Sequence, residues 1–358
     1  MGLSVCLTLV AGRVTQTWTA RLSLGLLLVL IVGDQARLQP WLYQAILELL
    51  ILGFAPAQVQ KRLCCLVMAS IYGYSGISKL DHSFVHELGP LFLNKSLSFV
   101  SLSSENWPSS MRLVSILAMP VAEIAIAVLL LFPGTARRGT IGACILHLGL
   151  LLLVGPFGLR HSATVVGWNL ALLIEVPLLF WPQPESDSRR FWQEIRAYAM
   201  CWVLLILLLL PLGERWGLWD SWPSFAVYAS HNERIELFVA ASEAEFWPEE
   251  IRPYLVPTNQ ADMLRLDLTN WSRFTRGVPP YPQARTGLGA ALGLSDRIGA
   301  ARPFYARVLS RAQFWTGDRR VICEGGPNQL RQSSHQFFWN ALPEQQSLRW
   351  SERGVQPR

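Results

Sequence analysis

LVSILAMPVAEIAIAVLLLFP, residues 113–133, holds a single charged group, Glu123, in an otherwise apolar run. A bilayer core of ~30 Å needs about 20 such residues at ~1.5 Å each. Backbone groups in lipid find no water, so a run of this kind must satisfy them internally as a helix. Pro133-Gly134 then closes it, because proline has no N–H to continue the ladder.

Working outward, the same pattern recurs at Gly139–Leu159, Ser162–Trp181 and Ala197–Leu212. Leu63–Ser78 is nearly as apolar and is bounded by Lys61-Arg62 and Lys79. Two earlier segments are weaker. Leu22–Gly33 is short and needs Thr17–Arg21 to reach full length, and Pro40–Pro56 carries Glu48 at its middle. The pattern predicts a mainly α, polytopic bundle of about seven transmembrane helices, six if one weak segment does not cross. No small-x-small cleavage site follows Val32, so the first segment is expected to be a retained helix and not a signal peptide.

Composition localises the membrane part. Charged residues make up 16% of the chain, against about 25% in soluble domains. Residues 216–358 contain 16 Arg and 14 Asp plus Glu, so the deficit lies before them. That tail is expected to be a small extramembrane α/β domain. Phe225 and Val227, then Ile235, Leu237 and Val239, suggest a hairpin turning at Ser230-His231-Asn232. Ser242 with Glu245 suggests a capping box opening a helix towards Tyr254, Leu264, Leu266 and Leu268 alternate as in a strand, and a helix is expected from Ala284 to Leu294.

Positive charge in short loops places the N-terminus in the cytoplasm and, with seven spans, the tail and the loop Asp81–Ser110 outside. The formal charge of +6 comes from Arg scattered among acids, so no nucleic-acid partner is expected. The six cysteines form no CxxC pair, no Cys/His zinc spacing occurs, and no metal site is expected. Walker, HExxH and GxSxG patterns are absent.

Ionisable groups within spans cost about 2.5–3.5 kcal/mol on insertion scales, so they face partners or cavities and often mark function. The candidates are Glu48, Glu123, His147 and Glu175. Arg112, Met119 and Glu123 share one helix face; Thr140, Cys144 and His147 share another; Trp168 and Glu175 share a third, with Asn169 beside them. Glu123, His147 and Glu175 are therefore candidate chemical residues, with interhelical packing bonds as the competing role. His147 leads, because its ordinary pKa is nearest neutrality. In Leu63–Ser78, Ala69, Gly73 and Gly76 form a small-residue face, with Tyr72, Ser75 and Lys79 alongside as candidate cofactor contacts, joined by Trp168 and Asn169.

Ser75-Gly76-Ile77-Ser78-Lys79-Leu80 followed by Asp81-His82-Ser83-Phe84, and Pro120-Val121-Ala122-Glu123 running through Leu131-Phe132-Pro133-Gly134 to Arg137, resemble the DoxX-like superfamily, in particular its MauE (methylamine utilisation) branch. The likeness covers roughly Arg62–Trp181. It implies a four-helix membrane unit at 62–181, flanked by two weaker helices in 1–61, a loop and last span in 182–215, and the domain 216–358. It further implies an accessory subunit, without catalytic activity of its own, linked to quinone or thiol redox chemistry or to maturation of an exported redox enzyme. The lipid bilayer and such an exported protein are the implied partners, and a quinone is the one cofactor it suggests. A non-catalytic anchor presenting residues 216–358 to a protein partner is the main alternative. A membrane enzyme related to vitamin K-dependent carboxylase, which many spans and an exported tail also resemble, is the third.

Overall fold

The computed structural model describes residues 13–181, 193, 196, 198–260, 262–277, 279–298 and 304–334. The chain divides into two compact units. Unit 1 comprises residues 1–231 with 314–317, and unit 2 comprises residues 232–313 with 318–358.

The regular elements of unit 1, among the described residues, are all helical. Its helices are α1 (Arg13–Gly33), α2 (Pro40–Phe54), α3 (Ala57–Ile77), α4 (Gly89–Ser98), α5 (Ser109–Leu131), α6 (Ala136–Val154), α7 (Ala163–Phe180) and α8 (Ala199–Leu209), the last continuing as a 3₁₀ turn to Trp216. All seven apolar segments are thus helices. Five are long and apolar enough to cross a membrane: Gln16–Gly33, Ser109–Leu131, Ala136–Val154, Ala163–Phe180 and Ala199–Trp216. Helix α2 has 15 residues, which at ~1.5 Å each falls short of a bilayer core. Helix α3 is long enough, but Gln58, Gln60, Lys61 and Arg62 dilute its first two turns. The chain is a multi-pass membrane protein.

Prolines set the breaks. Pro56 bars helical backbone at Ala55, which is extended at ψ 149°, and so α2 and α3 are separate rods. Gln60 then reaches back, donating to the Ala55 carbonyl at 2.9 Å, which satisfies one of the acceptors that α2 leaves open. Thr135 does the same after Pro133, donating to the Leu129 carbonyl at 2.9 Å.

Helix α3 is the central rod. It packs along α5 and also touches α2 and α7, while α6 lies against both α5 and α7. At Gly76 an added β-carbon would stand 2.7 Å from the Pro120 carbonyl oxygen and from Ile124. Only glycine lets the two backbones approach this closely. One apolar core joins Leu47, Leu63, Met68, Ile126, Leu172, Val176 and Leu204, and so draws in α2 and α8 as well as the middle helices.

The segment expected as an outer loop at Asp81–Ser110 is largely helical. A π-helical turn at Phe84–Leu88 leads into α4.

Unit 2 is an antiparallel sheet with helices. Its strands are β1 (Arg234–Ala240), β2 (Leu255–Pro257), β3 (Met263–Leu266), β4 (Tyr305–Leu309) and β5 (Val321–Gly325), and its helices are α9 (Leu268–Arg276), α10 (Ala284–Ile298) and α11 (Pro327–Ser333). The order is β2-β3-β1-β4-β5. Leu237, Val239 and Ala306 alternate inward and pack with Leu288, Ala291, Leu292 and Leu330, as period-two strands against an amphipathic helix should.

Three local expectations are corrected. Phe225 and Val227 are not a strand: Phe225 has φ +53° and is buried in the bundle core, 5.6 Å from the Tyr43 ring. β1 finds its partners in β3 and β4 instead. Ser242 and Glu245 lie in a short 3₁₀ turn, Ala241–Phe246, whose N-cap makes no side-chain bond. Leu268 opens α9 and does not extend β3, because Asp267 caps that helix by accepting from the Asn270 N–H at 3.0 Å.

Candidate functional site: buried polar clusters of the helix bundle

Glu123, His147 and Glu175 are all brought to the bundle interior, but into three different hydrogen-bonded groups.

The first group joins α5 to the end of α3. The Lys79 ammonium donates to Glu123 Oε2 at 2.7 Å, to Ser75 Oγ at 2.6 Å and to the Ser75 carbonyl at 2.9 Å. All three of its protons are thereby used. Lys79 is 1% exposed and Glu123 3%. Ser75 lies one turn before Lys79, so helix periodicity alone puts its hydroxyl beside the ammonium. Glu123 Oε1 takes no part in these bonds.

The second group joins α3, α6 and α7. Tyr72 Oη lies 2.6 Å from His147 Nε2, and His147 Nδ1 lies 3.0 Å from Asn169 Oδ1. Asn169 Nδ2 donates to the Val165 carbonyl at 2.9 Å, which fixes its amide and leaves Oδ1 as an acceptor. His147 Nδ1 must then carry a proton. For a neutral imidazole, Nε2 is the acceptor and Tyr72 the donor. A phenol hydrogen-bonded to an imidazole nitrogen can pass that proton without moving a heavy atom.

The third group joins α2 and α7. Gln44 Nε2 donates to Glu48 Oε1 at 2.8 Å and to Glu175 Oε2 at 2.9 Å, and Gln44 Oε1 accepts from Trp168 Nε1 at 2.8 Å. The two carboxyls thus share one amide. Trp168 and Asn169, adjacent in α7, serve different groups.

A fourth cluster, absent from the sequence-based candidates, sits at the bundle end where α3 and α8 finish. Asp81 Oδ2 lies 2.6 Å from His231 Nδ1, and His231 Nε2 lies 3.1 Å from Glu214 Oε1. Arg215 adds a bond to Asp81 Oδ2 at 3.3 Å, Ser221 donates to Glu214 Oε1 at 2.8 Å, and the Phe84 N–H donates to Asp81 Oδ1 at 2.8 Å. Burial pulls the His231 pKa down. The hydrogen bonds and charges of Asp81 and Glu214 outweigh it and leave the imidazole above its ordinary value. Both ring nitrogens face carboxylate oxygens, as only an imidazolium can satisfy. Sequence offered little sign of this cluster, since Asp81 and His231 are 150 residues apart. Gln44 was more legible: it stands one turn from Glu48 in an apolar helix.

Among the described residues, no group of three or more His, Cys, Asp or Glu is placed to hold a metal ion. Residues 55–165 match the model of a protein family described as methylamine utilisation protein MauE. The match contains Tyr72, Ser75, Lys79, Glu123 and His147 and stops just before Trp168 and Asn169. Over that stretch the chain is similar to MauE-type membrane proteins, as the motifs around Lys79 and Glu123 suggested. No curated protein and no solved structure matches the chain.

Proposed function

We propose that this protein is a membrane-embedded accessory subunit whose bundle interior binds a quinone head group and handles its protons, in support of an exported redox enzyme. The observation that carries this reading is that Tyr72–His147 and Lys79–Glu123, both built on α3 and its end, lie inside the stretch similar to MauE. A quinone head group needs donors for its carbonyls and, once reduced, acceptors for its hydroxyls. Tyr72 and Lys79 are donors that would exchange a present bond, to His147 or Ser75, for one to a quinone carbonyl, and Glu123 Oε1 is an acceptor not used by Lys79. The residues present therefore fit such a group. When bound, the quinone supplies the two-electron chemistry. The chain orients it, keeps water away and moves a proton between Tyr72 and His147. Positive charge in the short loops favours a cytoplasmic N-terminus and an extracytoplasmic tail.

Equilibrium dialysis of the full chain in nanodiscs, against a short-chain ubiquinone analogue and with empty nanodiscs subtracted, tests it. Saturable binding is expected, weakened at least tenfold by Glu123→Gln and by His147→Phe. Partitioning no greater than that of empty nanodiscs refutes the proposal.

The anchor reading keeps one observation in its favour. In unit 2, Phe274 is 77% exposed, and Phe246 is also open. Exposed aromatics of this kind suit a protein contact. Co-purification of a partner with the wild-type chain, lost in Phe274→Ser with the bundle intact, would favour it.

A further inference from the structure

Helix α4 lies outside every span, yet it packs on residues of two of them. Its first residue, Gly89, packs so closely on Ile116 that a β-carbon there would collide with that side chain. Ile116 belongs to the span Ser109–Leu131. Phe84 and Phe92 pack in one cluster with Ile116 and with Leu153 and Val154, the last residues of α6. The inner side of the element is therefore fastened to the ends of two spans.

Its outer side is apolar too. Leu91, Lys95 and Phe99 recur at four-residue spacing and so share one face. Leu91 is 49% exposed and Phe99 44%. Just beyond the helix, Val100 is 65% and Leu102 57% exposed. Between residues 88 and 104 the sole charged group is Lys95, whose ammonium lies 5.6 Å from the Phe99 ring centroid. Ser104 ties the segment after α4 back to that helix by donating to Asn94 Oδ1 at 2.5 Å.

Four large apolar side chains held together in water gain nothing from that exposure. We propose that residues 89–102 form an in-plane element seated at the headgroup–acyl boundary of the bilayer, with Leu91, Phe99, Val100 and Leu102 in the acyl region. Lys95 extends its stem along them and meets the phosphate of an anionic lipid. The occupant is phospholipid because the element is packed on Ile116 of the α5 span, whose first turns expose Met111 and Val114 in the same way. The proposal is independent of quinone binding.

Photo-crosslinking tests it. Benzoyl-phenylalanine replaces Leu91, Val100 or Leu102, one at a time, in the full chain held in nanodiscs of phosphatidylcholine and phosphatidylglycerol. Phospholipid adducts at each position are expected, at least fivefold above those at the control positions Ser96 and Glu105. Lys95→Glu should at least halve the phosphatidylglycerol share at position 91. Positions 100 and 102 are free of core packing, so they keep the test valid if the change at Leu91 disturbs the fold. Adducts to a second copy of the chain, to another protein, or at control levels only would overturn the assignment.

Discussion

Glu123→Leu leaves the Lys79 ammonium without its counter-charge at a site 1% exposed to solvent. Removing one partner of a buried ion pair typically costs about 3–5 kcal/mol, because the other charge stays desolvated. Two of the three bonds to Nζ, both to Ser75, survive the change. The loss should therefore fall near the lower end, about 3 kcal/mol. Lys79→Met should cost a similar amount, because the Glu123 carboxylate then loses its cation. The double variant removes both charges and replaces them with apolar volume, which is often nearly neutral, within about 1 kcal/mol. The singles should thus fail to add by about 5 kcal/mol, more than the ~0.5–3 kcal/mol usual for residues in contact. The assay is reversible unfolding of the four proteins in mixed micelles under an SDS titration, followed by tryptophan fluorescence. Single variants losing less than about 0.5 kcal/mol would behave as an exposed pair does. That result, or an additive cycle, would refute a buried Lys79–Glu123 contact.

Gly76→Ala should destabilise by about 1–3 kcal/mol, as overpacking does, because its β-carbon meets the Pro120 backbone oxygen. Gly73→Ala, one turn earlier, finds only the Ala127 β-carbon at 3.7 Å and should be tolerated; equal melting temperatures for the two would contradict the α3–α5 packing. His231 holds its proton more tightly in the folded chain than an ordinary histidine near ~6.5. Its contribution is accordingly full below that pH and is lost as pH rises through the raised folded value. Melting temperature should drop with rising pH above ~6.5, and His231→Gln should flatten that slope; an unchanged slope would clear this cluster of responsibility. Gln44→Leu strips Glu48 and Glu175 of their shared amide and Trp168 of its acceptor. A loss of about 1–3 kcal/mol is expected for the groups left unsatisfied, read by the same SDS titration, and wild-type stability would show that the three do not depend on Gln44.

Much of the fold was legible because lipid imposes a single local rule. A backbone that must bond to itself, over a length fixed by the bilayer, turns apolar runs into helices wherever they occur. Leu113–Pro133 needed no tertiary information, and neither did the closing prolines or the small-residue face at Gly73 and Gly76. The chain after the last span lacked such a rule. Phe225 and Val227 alternate like a strand, but a strand exists only if another supplies its hydrogen bonds, and Phe225 was claimed by the bundle core beside Tyr43. Leu268 alternates with Leu266, yet the Asp267 cap turned it into a helix start.

Residue type and helix periodicity determined that Glu123, His147 and Glu175 would face inward, since a charged or polar group in lipid has nowhere cheaper to go. They could not determine which partner each would meet. That depends on the rotation and depth of every helix, which are set by close packing summed over the whole core. The tertiary structure paired Glu123 with Lys79, His147 with Tyr72 and Asn169, and Glu175 with Gln44, which also holds Glu48. It also assembled Asp81, Glu214 and His231 across 150 residues, because a cluster built from three chain segments has no period for a sequence to display.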